Sequence, residues 1–194
     1  MPRFILASAS PRRQKLLAHH GFFPEIIPAQ VIEHEDPDAD PQEMVLHNAS
    51  LKALHLAERN RDALVLGADT TVALGEFVLN KPTDLDEARA MLRRLSGRVH
   101  TVYTGVALVW RERALNSAHC ITSHVRFKTL DDATISTYFQ IVNPLDKAGA
   151  YGIQEGRDLI IEDYEEPISN IMGLPVEWVA EQLAILGITP RTKA

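Results

Sequence analysis

The sequence predicts an α/β fold with a mixed sheet, and three observations carry that expectation. Helical and extended apolar patterns interleave along the chain. Two long alternating segments meet across a short polar turn in the second half, which reads as an antiparallel pair. No repeat or flexible linker divides the 194 residues, so the elements should form one domain over 1–194 or two closely packed lobes. The 45% hydrophobic content is enough for a real core at that length.

The elements follow in order. Residues 3–7 read as a short buried strand. Ser10 then serves as N-cap with Pro11 at the first helical position, Leu16 and Leu17 begin the apolar face, and Gly21 ends the helix. A second strand is expected over 23–28, followed by an acidic loop over 33–40 containing Pro37. Asp40 caps the next helix, with Pro41 first and Glu43 reaching back. Val45, Ala49, Leu56 and Ala57 keep helical spacing, and this helix should run to about residue 61.

Residues 64–74 read as a core strand carrying Gly67-Ala68-Asp69-Thr70; Gly75 turns it, and 77–79 runs into Asn80-Lys81-Pro82. Asp84 and Glu87 form a second capping box for a helix with Ala88, Met91, Leu92 and Leu95 on one face, closed by Ser96-Gly97. Residues 99–110 and 114–127 are the long strands, joined at 111–113. Asp131 starts a helix through Ile135 and Tyr138 that stops at Asn143-Pro144. A short strand is expected over 159–162, and Pro175 opens the final helix over 176–186, closed by Gly187. Residues 189–194 should fray.

Composition narrows the function classes. A formal net charge of -6 weighs against coating a nucleic-acid polymer, which needs a broad basic field, but not against a small anion held by a few local cations. No apolar run reaches membrane-spanning length, and residues 1–6 are too short for a signal-peptide apolar region. The single cysteine, Cys120, allows no internal disulfide and suits the cytoplasm; it reads as a small buried hydrophobe. Eight histidines include no H-x-x-x-H pair, so a zinc site is not expected. Neither G-x-x-x-x-G-K-[ST] nor G-x-G-x-x-G occurs.

Several residues break local rules in ways that suggest chemistry. Arg12 and Arg13 follow Ser8-Ala9-Ser10-Pro11, in the first turn of a helix. The helix dipole disfavours cations there by about 0.3–1 kcal/mol each. The cost is sensible if backbone N–H groups, the Ser8 and Ser10 hydroxyls and two guanidinium forks converge on a phosphate. A solvated basic face with Lys15 is the alternative. Asp69 is a carboxylate within an apolar strand, so it is either a structural cap or a metal ligand or general base. Thr70 points to the other face. Lys81 stands before Pro82 on a restricted backbone, which suits a point-charge phosphate contact. Lys52 lies in an otherwise apolar and small-residue helix segment, where lysine ordinarily reaches solvent. Glu33, Glu35 and Asp36 offer carboxylates to a hard cation such as Mg²⁺ or form a solvated turn.

Six segments occur together and in order: S-A-S-P-R-R, L-G-A-D-T, N-K-P, L-S-G-R-V-H-T-V-Y-T-G-V, D-K-A-G-A-Y-G-I-Q and S-N-I-M-G-L-P. Together they span Ser8 to Pro175, and the set resembles the Maf family. The resemblance implies a single Maf-like domain. Its fold would be an elongated mixed sheet flanked by helices, with two lobes around a central cleft, related to the inosine-triphosphate pyrophosphatases. It implies a nucleoside triphosphate pyrophosphatase that cuts between the α and β phosphates with Mg²⁺ or Mn²⁺.

D-K-A-G-A-Y-G-I-Q resembles the branch acting on dTTP and UTP, which could extend to modified pyrimidine nucleotides. On this resemblance Asp69 matches the general base, with Asp69 and Glu33 as metal candidates. Arg12, Thr70 and Gln154 match positions of base choice, and Glu33, Lys52, Lys81 and Arg13 match polar residues of the catalytic cleft. A cytoplasmic homodimer is implied, with no nucleic-acid polymer or membrane as partner.

The sequence departs from the family pattern at Lys15, where a glutamate is usual, and at His47-Asn48, where Arg-Leu is usual. The acidic run over 163–167 replaces a shorter stretch and is expected near the far end of the cleft. Two rivals stand beside the pyrimidine reading: the same chemistry on 7-methyl-GTP or a broad set of bases, and a non-catalytic nucleotide-binding regulator of septum formation.

Overall fold

The computed structural model describes residues 2–191. Seven strands form one mixed sheet: β1 (Phe4–Leu6), β2 (Glu25–Ile26), β3 (Leu64–Leu74), β4 (Phe77–Leu79), β5 (Val99–Trp110), β6 (Leu115–Phe127) and β7 (Ile161–Tyr164). The order is β2-β1-β3-β5-β6-β7, with β4 also on β3. β1 runs parallel to β2 and β3; the other pairings are antiparallel. The helices are α1 (Pro11–His19), α2 (Pro41–Ala57), α3 (Leu85–Leu95), α4 (Asp132–Ile141), α5 (Arg157–Ile160), α6 (Ile168–Ile171) and α7 (Val176–Ile185).

The strand period of two sends alternate β3 residues to opposite faces. Leu64, Leu66 and Ala68 pack with Leu17 of α1 and Val176, Val179 and Leu183 of α7. Farther along the same face, Val72 joins Val102, Phe127 and Tyr151 beneath Ala88 and Leu92 of α3 and Ile135 and Tyr138 of α4. These two helical groups are the two lobes. The opposite face, with Val65, Ala107 and Val109, carries α2 through Ala49, Ala53, Leu56 and Ala57.

α2 lies against the sheet because two glycines let it. A Cβ on Gly67 would stand 2.2 Å from the Ala49 carbonyl oxygen, and one on Gly105 would stand 2.3 Å from that of Val45. Gly105 pairs across the ladder with Asp69, so the helix crosses directly over the Asp69 position.

The capping residues behave as expected at Asp40 and Asp84, whose side chains accept from the Glu43 and Glu87 backbone N–H groups. Glu87 reaches back to Thr83 instead of its cap residue. Four expectations change. β2 keeps only two residues of the expected 23–28, and α2 ends at Ala57. The segment 159–162 begins in helical turn α5, entered through Gly156 at a φ of 61°, and only Ile161 onward pairs with β6. The short 3-10 turns Pro144–Asp146 and Ala148–Ala150, and α6, were not foreseen; three or four residues are too few to display a period. At the C-terminus, Arg191 N–H donates to the Gly21 carbonyl at 2.8 Å, so this segment is docked; residues 192–194 of the expected frayed end lie outside the described residues.

His100 is buried beneath the second lobe, with Nε2 2.8 Å from the Tyr151 hydroxyl and its ring edge-on to Phe127. Burial disfavours its charged form and lowers its pKa from 6.5 to about 3. Between those two values the unfolded chain binds a proton that the native state does not. Stability therefore falls as pH falls through that window, by about 1.4 kcal/mol per unit from this group. Urea titrations at pH 7.5 and 5.5 should show the loss in the wild type, and a folded His100→Gln variant should lose about 1 kcal/mol less over the same interval.

Candidate active site

The chain leaves β1 at Ala7, whose N–H donates to the Leu66 carbonyl at 2.8 Å, and turns into α1. β4 joins β3 only from Val72 onward. Between these neighbours, residues 67–71 have one edge with no strand beside them. Side chains from both faces of β3 can therefore reach one opening: Asp69 from the α2 face and Thr70 from the face between the lobes. The resulting cleft, about 380 Å³, falls within the ~300–1,000 Å³ of small-molecule sites.

Ser8, Ser10, Arg12, Arg13, Glu33, Lys52, Asp69, Thr70, Lys81 and Gln154 all line this cleft. Two polar clusters organise it. In the first, the ammonium of Lys52 lies 2.7 Å from Glu33 Oε2 and 2.8 Å from Asp69 Oδ1. Lys52 is 7% exposed, so it does not extend to solvent as a helical lysine ordinarily does. Asn48, one helical turn earlier, donates from Nδ2 to Asp69 Oδ2 at 3.0 Å. The same amide clamps the His34 backbone, giving a hydrogen to its carbonyl and taking one from its N–H. That clamp holds Glu33 over the helix. Glu35 and Asp36 do not line the cleft; an Asp36 carboxylate oxygen accepts from the Asp38 N–H in a local turn.

The second cluster surrounds Arg13. Its Nε donates to the Gly173 carbonyl at 2.8 Å, Nη1 to Ser8 Oγ at 3.1 Å and Nη2 to Thr70 Oγ1 at 3.1 Å. All three partners are neutral, and no carboxylate lies within ion-pair distance among the described residues. Burial lowers the Arg13 pKa from its ordinary value, as does the nearby charge of Arg12, while Asp69 and Glu33 act in the other direction. Arginine nevertheless stays charged at any working pH. A half-buried guanidinium with no ion-pair partner, facing a cleft, suits an anion. Ser10 occupies the N-cap position but makes no side-chain cap; the Ser8 hydroxyl instead accepts from its N–H.

Arg12 reaches across to the other lobe, where Nη1 and Nη2 stand 3.4 Å from the Asp146 carboxylate and carbonyl. Lys147 is buried and donates to Asp146 Oδ1 at 2.7 Å and to the Asn143 carbonyl at 2.9 Å. Burial opposes ionisation of Asp146, but Lys147 and Arg12 outweigh it and hold the carboxyl below its usual range. Lys81 is exposed and pairs with no carboxylate among the described residues.

Glu33 and Asp69 are two carboxylates converging on one point, and Glu33 Oε1 carries no hydrogen bond among the described residues. Mg²⁺ bound with a polyphosphate takes one or two protein carboxylates, the rest coming from phosphate and water. The pair fits that number. No group of three or more His, Cys, Asp or Glu side chains is gathered among the described residues, so a dedicated all-protein metal cage is not what the site offers.

A family model described as Maf-like protein matches residues 3–186. The chain belongs to the Maf-like family. Curated relatives span almost its whole length. The dTTP/UTP pyrophosphatase of Moorella thermoacetica is 43% identical over 97% of each chain. That of Akkermansia muciniphila is 42% identical over 96% of this chain and 98% of its own. That of Syntrophus aciditrophicus is 42% identical over 95% and 90% respectively.

Within this Maf-like chain, sequence reading missed Asn48, registered only as a departure from the family pattern. The signal was its i, i+4 spacing from Lys52, which places both side chains on one helix face. The acidic run over 163–167 was expected near the cleft and is not in its lining: Asp163 and Tyr164 pair with β6 in β7 instead. Cys120, on β6, also stands apart from the cleft, and burial pushes its thiol up to about 11. Among the described residues, no helix is long and apolar enough to cross a membrane.

Removing the Lys52 charge leaves two carboxylates facing each other. Breaking a fully buried pair costs about 3–5 kcal/mol. Glu33 is 34% exposed, so Lys52→Met should destabilise by less, about 2–3 kcal/mol at pH 7. Adding Glu33→Gln should restore part of that loss in urea unfolding; an additive double variant would show that the carboxylates do not meet through Lys52.

Proposed function

We propose that this chain hydrolyses dTTP and UTP to the nucleoside monophosphate and pyrophosphate. The observation that carries the reading is, in one nucleotide-sized cleft, a fixed carboxylate and a half-buried guanidinium with no carboxylate partner among the described residues. Asp69 is held by Lys52 and Asn48; Arg13 is held by Ser8, Thr70 and Gly173. The relatives named dTTP/UTP pyrophosphatase support the substrate.

Water attacks the α phosphorus, the bond to the bridging oxygen breaks, and pyrophosphate leaves. Asp69 accepts the proton of the attacking water. Arg13, with Arg12 and Lys81, neutralises charge that grows on the leaving group. Glu33 and Asp69 would hold a divalent cation, Mg²⁺ or Mn²⁺, which supplies Lewis-acid neutralisation of the polyphosphate. Gln154 carries both amide donors and an acceptor, so it can read a base edge, and Arg12 and Thr70 share the choice of base.

A reducing cytoplasmic setting suits the lone free cysteine. A homodimer is supported by the family resemblance and by β6, whose outer edge has no strand partner over 115–124 among the described residues.

A pyrophosphate-release panel tests the function. dTTP and UTP should give higher kcat/KM than dATP, GTP or 7-methyl-GTP, and Asp69→Asn should lower turnover by roughly 10² or more while remaining folded. A lead for 7-methyl-GTP would overturn the pyrimidine assignment, and release from no nucleotide would overturn the enzyme. Separately, excess chelator should abolish activity and added Mg²⁺ or Mn²⁺ should restore it; undiminished turnover in chelator would remove the cation from the account.

A further inference from the structure

The loop that carries Glu33 into the site has no regular structure of its own: residues 27–40 form neither helix nor strand. Two asparagines hold it at consecutive residues. Asn48 of α2 takes both backbone groups of His34. Asn80, between β4 and Lys81, takes the next residue, its Nδ2 donating to the Glu35 carbonyl at 3.2 Å. Each asparagine also reaches β3. Asn48 donates to Asp69, and Asn80 Oδ1 lies 3.3 Å from the Thr71 hydroxyl. Asp69 and Thr71 are two residues apart, so they stand on one face of the strand. The acidic loop is therefore strapped twice to the face that carries Asp69.

The partners fix how both amides are turned. A backbone N–H can only donate, so Asn48 Oδ1 faces the His34 N–H, and Nδ2 faces the His34 carbonyl and Asp69. A backbone carbonyl can only accept, so Asn80 Nδ2 faces Glu35, and Oδ1 takes the hydrogen of Thr71. Thr71 is buried, which keeps water from competing for that hydroxyl. Asn80 is itself anchored from the second lobe, its carbonyl accepting the Gly149 N–H at 3.3 Å. Lys81, the next residue, lines the cleft; Asn80 does not, so whatever it contributes acts through its partners.

We propose that Asn80 is a positioning residue for Glu33: with Asn48 it straps the acidic loop to β3, so that Glu33 and Asp69 are already converged when a triphosphate arrives. The inference rests on the pyrophosphatase reading above and deepens it. Glu33 and Asp69 repel each other, and Lys52 bridges them only through the end of the Glu33 side chain. An unheld loop would surrender its conformational freedom at each approach of that carboxylate. Two amide straps remove that freedom during folding instead. Such placement matters because a displacement of about 1 Å can slow an enzyme by about 10²-fold.

The test is a double-variant cycle read as kcat/KM for dTTP. Asn80→Ala removes the strap at Glu35 and leaves the one at His34, so the rate should fall about tenfold, the scale of one hydrogen bond. In a Glu33→Gln background the same change should cost less than about twofold, because the carboxylate that Asn80 positions is gone. In an Arg13→Lys background it should keep its full cost. Hydrogen exchange of the backbone amides over 33–38 should quicken in Asn80→Ala, reporting release of the loop without any turnover. A merely structural role would lower the rate by one factor in all three backgrounds. Should Asn80→Ala fail to fold, Thr71→Val removes the hydroxyl that orients the amide and carries the same comparison. Should Glu33→Gln show no turnover, equilibrium binding of α,β-imido-UTP with Mn²⁺ replaces the rate in the cycle. Equal losses with and without the Glu33 carboxylate, unchanged loop exchange, or full activity in Asn80→Ala overturns this inference alone. A wild type that releases pyrophosphate from no nucleotide overturns the pyrophosphatase reading and this inference with it.

Discussion

The distance between α2 and the sheet is the constraint on which the site depends. Gly67 and Gly105 admit the backbone of α2 at positions where any Cβ would overlap the Ala49 or Val45 carbonyl. Only at that separation can Asn48 and Lys52, one turn apart, both reach Asp69. The small residues Ala49 and Ala53 on the same helix serve the same approach. Packing and chemistry are therefore not separate here. A side chain at Gly67 would act first on the helix position and through it on the carboxylate, without touching a substrate.

A second consequence follows from where the strands end. Residues on opposite faces of a continuous sheet could not share a ligand, because the sheet itself would stand between them. Asp69 and Thr70 are adjacent and point oppositely, yet both line one cleft, because β1 pairs with β3 only as far as Leu66 and β4 pairs with it only from Val72. The loop after β1 supplies Ser8, and α1 supplies Arg13, at the gap. The polar residues of the site thus sit at the sheet edge, where backbone and side-chain groups are least expensive to leave solvated.

Long elements were legible in the sequence because period and capping agree there. β3 and β5 take the residues expected, and Asp40 and Asp84 cap the helices they were expected to cap. The site residues were legible through broken rules: arginines at a helix N-terminus and a carboxylate in a core strand. Lys52 was assigned to the cleft by the family resemblance alone, because nothing local distinguishes a lysine that turns inward; its partner Glu33 arrives from a loop 19 residues away. Asn48 was passed over for the same reason, since its partners His34 and Asp69 are joined only by the tertiary fold. The two 3-10 turns that bring Asp146 and Lys147 to the cleft are too short to leave a pattern.

The cations of the cleft are held in three different ways, and that difference explains how a chain of net charge -6 can take a polyanion. Lys52 is locked between two carboxylates, so its charge fixes Asp69 and is not free to bind a second anion. Arg13 is the opposite case: three neutral oxygens orient it, and the fold leaves it only half-exposed, so a phosphate arriving there meets a positioned charge with no carboxylate partner among the described residues. Arg12 is intermediate. Its contacts with Asp146 are 3.4 Å long, and the Asp146 side chain is 56% exposed, which makes the pair weak and readily exchanged for a stronger acceptor. Asp146 would keep Lys147 as its partner after such an exchange. Local arrangement, and not total charge, therefore decides what the cleft attracts.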